Sequence, residues 1–175
     1  MPSVNNMQTT FYIGKAAPTP LGAVWVAVTA RGLAALEIRA REDEFAHKLA
    51  KRYGVEVTIN EASTAETIRQ VRDYLAGERE SFDLSIDWSV MSAFQERVLR
   101  AVYAIPRGET RSYGEIAAQI GKPGAARAVG RANATNPMPL VIPCHRVIGA
   151  DGGLRGYSGG DGLETKAWLL ELEKH

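Results

Sequence analysis

Ser112-Tyr113-Gly114-Glu115-Ile116-Ala117-Ala118-Gln119-Ile120-Gly121-Lys122-Pro123-Gly124-Ala125-Ala126-Arg127-Ala128-Val129-Gly130-Arg131-Ala132-Asn133-Ala134 carries the reading of the fold. Ser112 with Glu115 three residues on is a capping box, so a helix opens there and runs to Ile120. Gly121-Lys122-Pro123-Gly124 is a tight turn, and a second helix follows from Ala125 to about Ala134 before Asn136-Pro137 stops it. Helix, short glycine-containing turn, helix is the outline of a helix-turn-helix unit. Ala125, Ala126, Ala128 and Gly130 leave the second helix nearly bare, so another backbone can come close. Arg127 and Arg131 are i,i+4 neighbours on one face. Such a helix either packs tightly on another helix, with two solvated arginines, or lies against a nucleic-acid backbone with an arginine probing the base stack. Gly130 costs helix propensity by roughly 1 kcal/mol relative to alanine, which favours a reading in which close approach matters.

Downstream, Val141-Ile142-Pro143-Cys144-His145-Arg146-Val147 delivers the only cysteine of the chain, on an apolar strand-like run, to a proline-stiffened turn. A free thiol with a reference pKa near 8.5 is on the order of 3% thiolate at neutral pH, and an adjacent base or cation raises that fraction. Most free cysteines are small buried residues. The polar pair His145-Arg146 beside this one weakens that reading, since an inert core cysteine needs no charged neighbours, and leaves a nucleophile open. A glycine-rich loop from Gly149 to Gly162 and a last helix from Leu163 to Glu173 complete this half.

Upstream, the pattern is that of a small α/β unit. Thr10–Ile13, Ala23–Val28 and Leu33–Ile38 read as strands, the latter two as a hairpin about Arg31-Gly32. Glu42–Tyr53 has Phe45, Leu49 and Tyr53 at helical spacing and ends at Gly54. Val55–Ile59 reads as a short strand, and Thr64–Ala76 as a helix with Ile68, Val71, Tyr74 and Leu75 on one face. Nothing in this half looks chemical, and it reads as scaffold. Ser81–Trp88 reads as a linker. Ser92 and Gln95 form a further capping box opening a helix through Tyr103. The fold expected is α+β: an N-terminal α/β domain with a short antiparallel sheet over 1–88, then a mostly helical, winged-helix-like domain with the helix-turn-helix over 89–175.

The 175 residues, 45% hydrophobic and 23% charged, suit an ordinary globular chain. No segment approaches a membrane span, and the N-terminus lacks a charged-then-apolar leader pattern. A single cysteine excludes an internal disulfide and any multi-cysteine zinc cluster, so a reducing compartment is expected. Net charge is +1, but Lys/Arg against Asp/Glu runs 10 to 12 over residues 1–92, 9 to 4 over 93–160 and 2 to 4 over 161–175. The basic excess shares a segment with the cysteine, as a phosphate-bearing partner would require.

Several segments together resemble one family, the O6-alkylguanine-DNA alkyltransferases. Pro143-Cys144-His145-Arg146-Val147-Ile148 is similar to its signature, and Gly108-Glu109-Thr110-Arg111-Ser112-Tyr113 to its upstream segment. Gly124–Gly130 resembles its recognition helix, Asn136-Pro137 its asparagine hinge, Leu154–Gly160 its active-site loop and Leu163–Leu170 its closing helix. The specific part covers roughly Phe94 to Glu173.

The resemblance implies direct-reversal DNA repair. An alkyl group moves from O6 of guanine in double-stranded DNA to Cys144, irreversibly and once per molecule, with O4-alkylthymine as a second substrate left open. His145 would be the base, acting through a water, with Glu173 behind it; Glu171 is the alternative. Tyr113 would hydrogen-bond the base, and Ser158 would approach O6. The carbonyls of Cys144 and Val147 would accept from the exocyclic amine, and Pro139, Tyr157 and Arg146 would belong to the pocket. Arg127 would enter the stack vacated by the flipped base, on a helix laid in the minor groove, with Ala125, Ala126, Ala128, Gly130, Arg131 and Asn136 at the DNA. No cofactor and no metal are implied. The partner is DNA and not a membrane. The chain would act as a monomer, with cooperativity along DNA left open, in the cytoplasm (at the nucleoid in a bacterium, in the nucleus of a eukaryote). Departures are Asn133, where some members carry a bulkier apolar residue, and Arg155, whose length at the pocket rim would limit large O6 substituents. The N-terminal half has no cysteine for the zinc site of some relatives, while Cys144 separates the chain from a non-enzymatic branch that has tryptophan there. Two other readings compete: a DNA-binding module that signals damage without chemistry, and a cysteine hydrolase or redox thiol. The hydrolase is weakened by a histidine adjacent in sequence, the redox thiol by the lack of a resolving cysteine.

Overall fold

The computed structural model describes residues 9–175. The leader reading falls partly on residues 1–8, outside the described residues. Strands β1 (Thr10–Ala16), β2 (Val24–Thr29) and β3 (Gly32–Ile38) are followed by helix α1 (Glu42–Tyr53), strand β4 (Glu56–Ile59) and helix α2 (Glu61–Leu75). The sheet order is β3-β2-β1-β4. β1–β2 and β2–β3 are antiparallel, in registers such as Ile13↔Ala27 and Val26↔Leu36. β4 adds a parallel edge (Phe11↔Val57), so the short antiparallel sheet gains one parallel strand. The reason is connectivity: α1 carries the chain back across the sheet before β4 begins.

β2 reads as an unbroken apolar run because both faces of the sheet are covered. Phe11, Ile13, Trp25 and Ala27 pack with Phe45 and Leu49 of α1. Val24, Val26, Leu36 and Ile38 pack with Val71, Tyr74 and Leu75 of α2. A Cβ on Gly14 of β1 would stand 2.2 Å from Thr64 Oγ1, so glycine is what lets α2 lie this close. Asn60 caps α2 through its side chain and the Ser63 amide, which starts the helix earlier than the apolar spacing suggested.

The expected linker is structured. Leu33 N–H donates to Ser85 O and Asp87 N–H to Leu33 O, at 2.9 and 2.8 Å, so residues 85–87 cover the β3 edge. Helix α3 (Ala93–Tyr103), strand β5 (Arg111–Ser112), helix α4 (Tyr113–Gln119) and helix α5 (Ala126–Ala134) follow, then a 3-10 turn at Cys144–Arg146, strand β6 (Val147–Ile148) and helix α6 (Leu163–Leu172). Ser112 and Glu115 form the full capping box. Ser92 and Gln95 form only half of one: the Gln95 amide instead donates to Ala132 O and Thr135 O at the end of α5, satisfying carbonyls that a helix terminus leaves open. The chain before Cys144 is a turn and not a strand, with Ile142 N–H donating to Met138 O. One apolar core runs from Val26 and Leu36 through Val98, Val102, Ile116, Val129 and Ile142 to Cys144 and Leu169. The cysteine therefore sits where sheet and helices meet. Among the described residues, no helix is long and apolar enough to cross a membrane.

Candidate active site

Cys144 is 3% exposed, yet it borders a cavity of about 660 Å³ with Tyr113, Arg127, Gly130, Asn133, Tyr157 and Ser158. The turn is held from α5 and the hinge. Asn136 Nδ2–H donates to Ile142 O at 2.9 Å, and its Oδ1 accepts from the Met138 amide. Burial dominates the thiol and pushes it up to about 11, although Asn136 and Lys166 pull the other way. The resting group is a protonated thiol, so its charged neighbours do not make it a standing thiolate.

Behind it lies a buried relay. His145 Nε2 and Glu173 Oε1 are 2.7 Å apart, with both side chains fully enclosed. Burial pushes the imidazole below its usual value against the pull of Glu173. A neutral ring then donates Nε2–H to the carboxylate and keeps a lone pair on Nδ1, an atom without a protein partner. Burial alone would raise the Glu173 carboxyl, but hydrogen bonds from His145, Arg146 and Tyr74 together hold it well below the carboxylate range. Glu171 is exposed and pairs with Lys174.

Three side chains around the site were not legible as such in the sequence. Tyr74 on α2 donates to Glu173 Oε1 at 2.5 Å across 99 residues, so the half read as scaffold reaches the relay. Arg146 was expected at the pocket. It points away from the cavity, with Nε and Nη2 on Glu173 at 2.9 and 2.7 Å and Nη1 on Ile105 O at 2.6 Å, because a guanidinium buried at this depth needs a carboxylate. Lys166, 0% exposed, donates to Val147 O at 2.7 Å and Gly156 O at 3.4 Å, tying the loop to β6.

The cavity gathers Ala126, Arg127, Gly130 and Arg131 of α5 on one side and Arg155, Tyr157 and Ser158 of the loop on the other. Arg155 is paired with Asp151 at 2.7 Å. Tyr113, from the start of α4, lies against α5: a Cβ on Gly130 would stand 3.8 Å from its ring, which is ordinary contact, so nothing within the protein forces glycine there. Burial raises the Tyr113 phenol and keeps it a donor. Five further expected residues do not border this cavity. Asn136 is buried and spends its amide on the hinge, so it is not free to touch DNA. Pro139 lines a neighbouring cavity of about 320 Å³ under the loop. Val147 is buried, and its carbonyl accepts from Lys166 Nζ at 2.7 Å, which leaves the second lone pair of that oxygen unused. Ala125 is the residue before α5 and does not border the cavity; nor does Ala128, half-buried on the helix. Among the described residues, no carboxylate pairs with Arg127 or Arg131, and no cluster of three His, Cys, Asp or Glu is arranged to hold a metal.

Residues 93–175 match the family model of the 6-O-methylguanine DNA methyltransferase DNA binding domain, and residues 10–88 that of its ribonuclease-like domain. The methylated-DNA–protein-cysteine methyltransferase of Mycobacterium leprae is 57% identical over 111 residues, 63% of this chain and 66% of that protein. Its counterpart in Mycolicibacterium paratuberculosis is 56% identical over 117 residues, 67% and 69% of the two chains. These alignments thus span about two thirds of the relatives' length. The crystal structure of Mycobacterium tuberculosis OGT in complex with DNA superposes with a TM-score of 0.75 at 41% identity, covering 94% of this chain and 92% of that one. Two models of a single family account for both halves, and a solved mycobacterial structure shares the fold across almost its full length: this chain belongs to the 6-O-methylguanine DNA methyltransferase family.

Proposed function

We propose that the protein repairs DNA by direct reversal, moving the alkyl group of O6-alkylguanine onto Cys144, once per molecule. The observation that carries this is a buried Cys144 thiol bordering a cavity shared with an arginine-bearing helix, with a His145–Glu173 relay behind it. The thiol loses its proton to His145 Nδ1 through a water. Sulfur attacks the alkyl carbon, the carbon–O6 bond breaks, and the departing oxyanion recovers a proton with Tyr113 as hydrogen-bond donor. The product is a thioether and unmodified guanine. Glu173 supports the imidazolium formed on the way.

The cavity is concave and lies beside α5, so the base must leave the duplex to reach it, at a cost of a few kcal/mol. Arg127 fills the vacated stack, and Arg131 faces phosphates; unpaired guanidiniums on a small-residue helix support that assignment. Ser158 approaches O6 from the loop. Residues 1–88 and 89–175 act as two domains sharing one core. The protein works as a monomer in the cytoplasm, without cofactor. Incubation with an O6-methylguanine oligonucleotide adds one methyl mass to Cys144 and consumes one equivalent, read by intact-protein and peptide mass spectrometry. Repeated turnover, or no adduct, would overturn the reading, and no adduct would favour a damage-binding module.

A further inference from the structure

Tyr74 stands near the end of α2, in the half of the chain that carries none of the reacting atoms, and is buried. Its ring is clamped: the Phe82 ring lies 4.8 Å away, centre to centre, and the Arg107 guanidinium 5.9 Å. Arg107 in turn donates from Nη2 to Leu172 O at 2.9 Å, at the end of α6. The phenol is thereby held against the carboxylate that follows α6. A carboxylate only accepts, so Tyr74 donates its hydroxyl hydrogen to Glu173 Oε1, at 2.5 Å. That same oxygen receives His145 Nε2 at 2.7 Å and Arg146 Nη2 at 2.7 Å. Three donors share one oxygen, so phenol and imidazole are coupled through a single atom.

We propose that Tyr74 is a positioning residue of the relay, whose hydrogen bond weakens the pull of Glu173 on an imidazolium and so keeps His145 a neutral base into acid solution. The inference rests on the alkyl-transfer reading. Its sign follows from electrostatics. A donor on the carboxylate oxygen draws off negative charge, so less of it stabilises a proton on the facing imidazole. Without the phenol, Glu173 holds the imidazolium more firmly, and His145 is lost as a base at a higher pH. The other charged or titratable neighbours do not change state in that range. Arg146 on the same turn, Lys166 of α6 and Arg107 beyond α3 stay cationic in acid. The Cys144 thiol and the Tyr157 phenol, both raised by burial, stay neutral. The acid limb of the rate profile therefore reports the His145–Glu173 pair alone, and through Tyr74 the N-terminal half contributes to the chemistry as well as to the core.

The test follows single-turnover methyl transfer to Cys144 by mass spectrometry, from a single-stranded O6-methylguanine oligonucleotide at saturating concentration, so that neither base pairing nor DNA affinity enters the pH dependence. The unaltered protein, Tyr74→Phe and a protein carrying 3,5-difluorotyrosine at position 74 are compared across the acid and neutral range. Tyr74→Phe should move the midpoint of the acid limb up by about half to one pH unit, the part of a charged hydrogen bond that is passed on to the imidazole. Difluorotyrosine keeps the ring and the hydroxyl but donates more strongly, and should move the midpoint down. A single-turnover rate constant does not depend on the folded fraction, so lost stability alone shifts neither curve. If Tyr74→Phe slows transfer by the same factor at every pH, or if both substitutions move the midpoint the same way, Tyr74 is structural and the inference fails. Should Tyr74→Phe not fold, the difluorotyrosine protein decides: a downward shift supports the coupling and an unmoved midpoint overturns it. No methyl transfer by the unaltered protein would instead overturn the repair reading.

Discussion

At Cys144 the decisive fact is that desolvation outweighs the neighbouring positive charge. A thiol pushed up to about 11 stays protonated at neutral pH, so free Cys144 should react with iodoacetamide more slowly than an exposed cysteine, followed by mass spectrometry. Transfer then depends on a neutral His145. Burial lowers that imidazole, so the single-turnover rate should stay flat through neutral pH and fall only on acidification. Glu173→Gln should lower the rate about a hundredfold, the scale of lost general-base support. Both His145 and Glu173 have folded-state values below their unfolded ones. Their stabilisation is therefore fully present above the unfolded values, about 6.5 and 4.3, and is lost as pH falls through each window. The melting temperature should drop on acidification from near pH 6.5 downward, and Glu173→Gln should flatten the lower part of that curve.

Helix α5 shows how one element serves two surfaces. Val129, Ala132 and Asn133 face the core, whereas Arg127 and Arg131 are exposed. Its carbonyl end is finished by Gln95 from α3 and its outer face is left bare. The space beside Gly130 accepts a methyl group, with the Tyr113 ring 3.8 Å away. Gly130→Ala should thus stabilise the free protein by up to about 1 kcal/mol through helix propensity, while slowing repair in duplex DNA. Unfolding midpoints and duplex repair rates, measured together, separate the two effects; a slower rate with free O6-benzylguanine as well would mean the added methyl disturbs the pocket and not the DNA contact. Arg127→Ala should do the reverse of a pocket lesion, weakening duplex repair more than reaction with the free base.

Over the whole molecule, the N-terminal half is joined to the chemistry by the shared apolar core and by specific hydrogen bonds. The Leu36 amide donates to Pro137 O at 2.8 Å, and Tyr74 reaches Glu173. Tyr74→Phe should cost about 1.5–3 kcal/mol, because a hydrogen bond to a buried carboxylate is lost, and the cost should shrink at low pH in urea titrations. The basic excess in residues 93–160 should make duplex repair fall steeply with added salt while reaction with free O6-benzylguanine does not. The elements themselves were legible because their signals are local. Serine caps, the Gly54 stop, the β-rich run of β2 and the helical spacing of Phe45 and Leu49 act within one or two turns of chain. The run before Cys144 misled because its apolar residues answer to burial, not to strand pairing: Asn136 folds them into a turn. Arg146 and Tyr74 were unreadable in role because their partner is a carboxylate 27 and 99 residues away. Residue types and short spacings thus determine by themselves where the helices lie to within a turn, which side chain is the nucleophile and which arginines lie on one face. Only the tertiary structure decides protonation, the pairing of Glu173 and which walls the cavity has, since desolvation and hydrogen bonding act between atoms that the chain brings together only when its core closes.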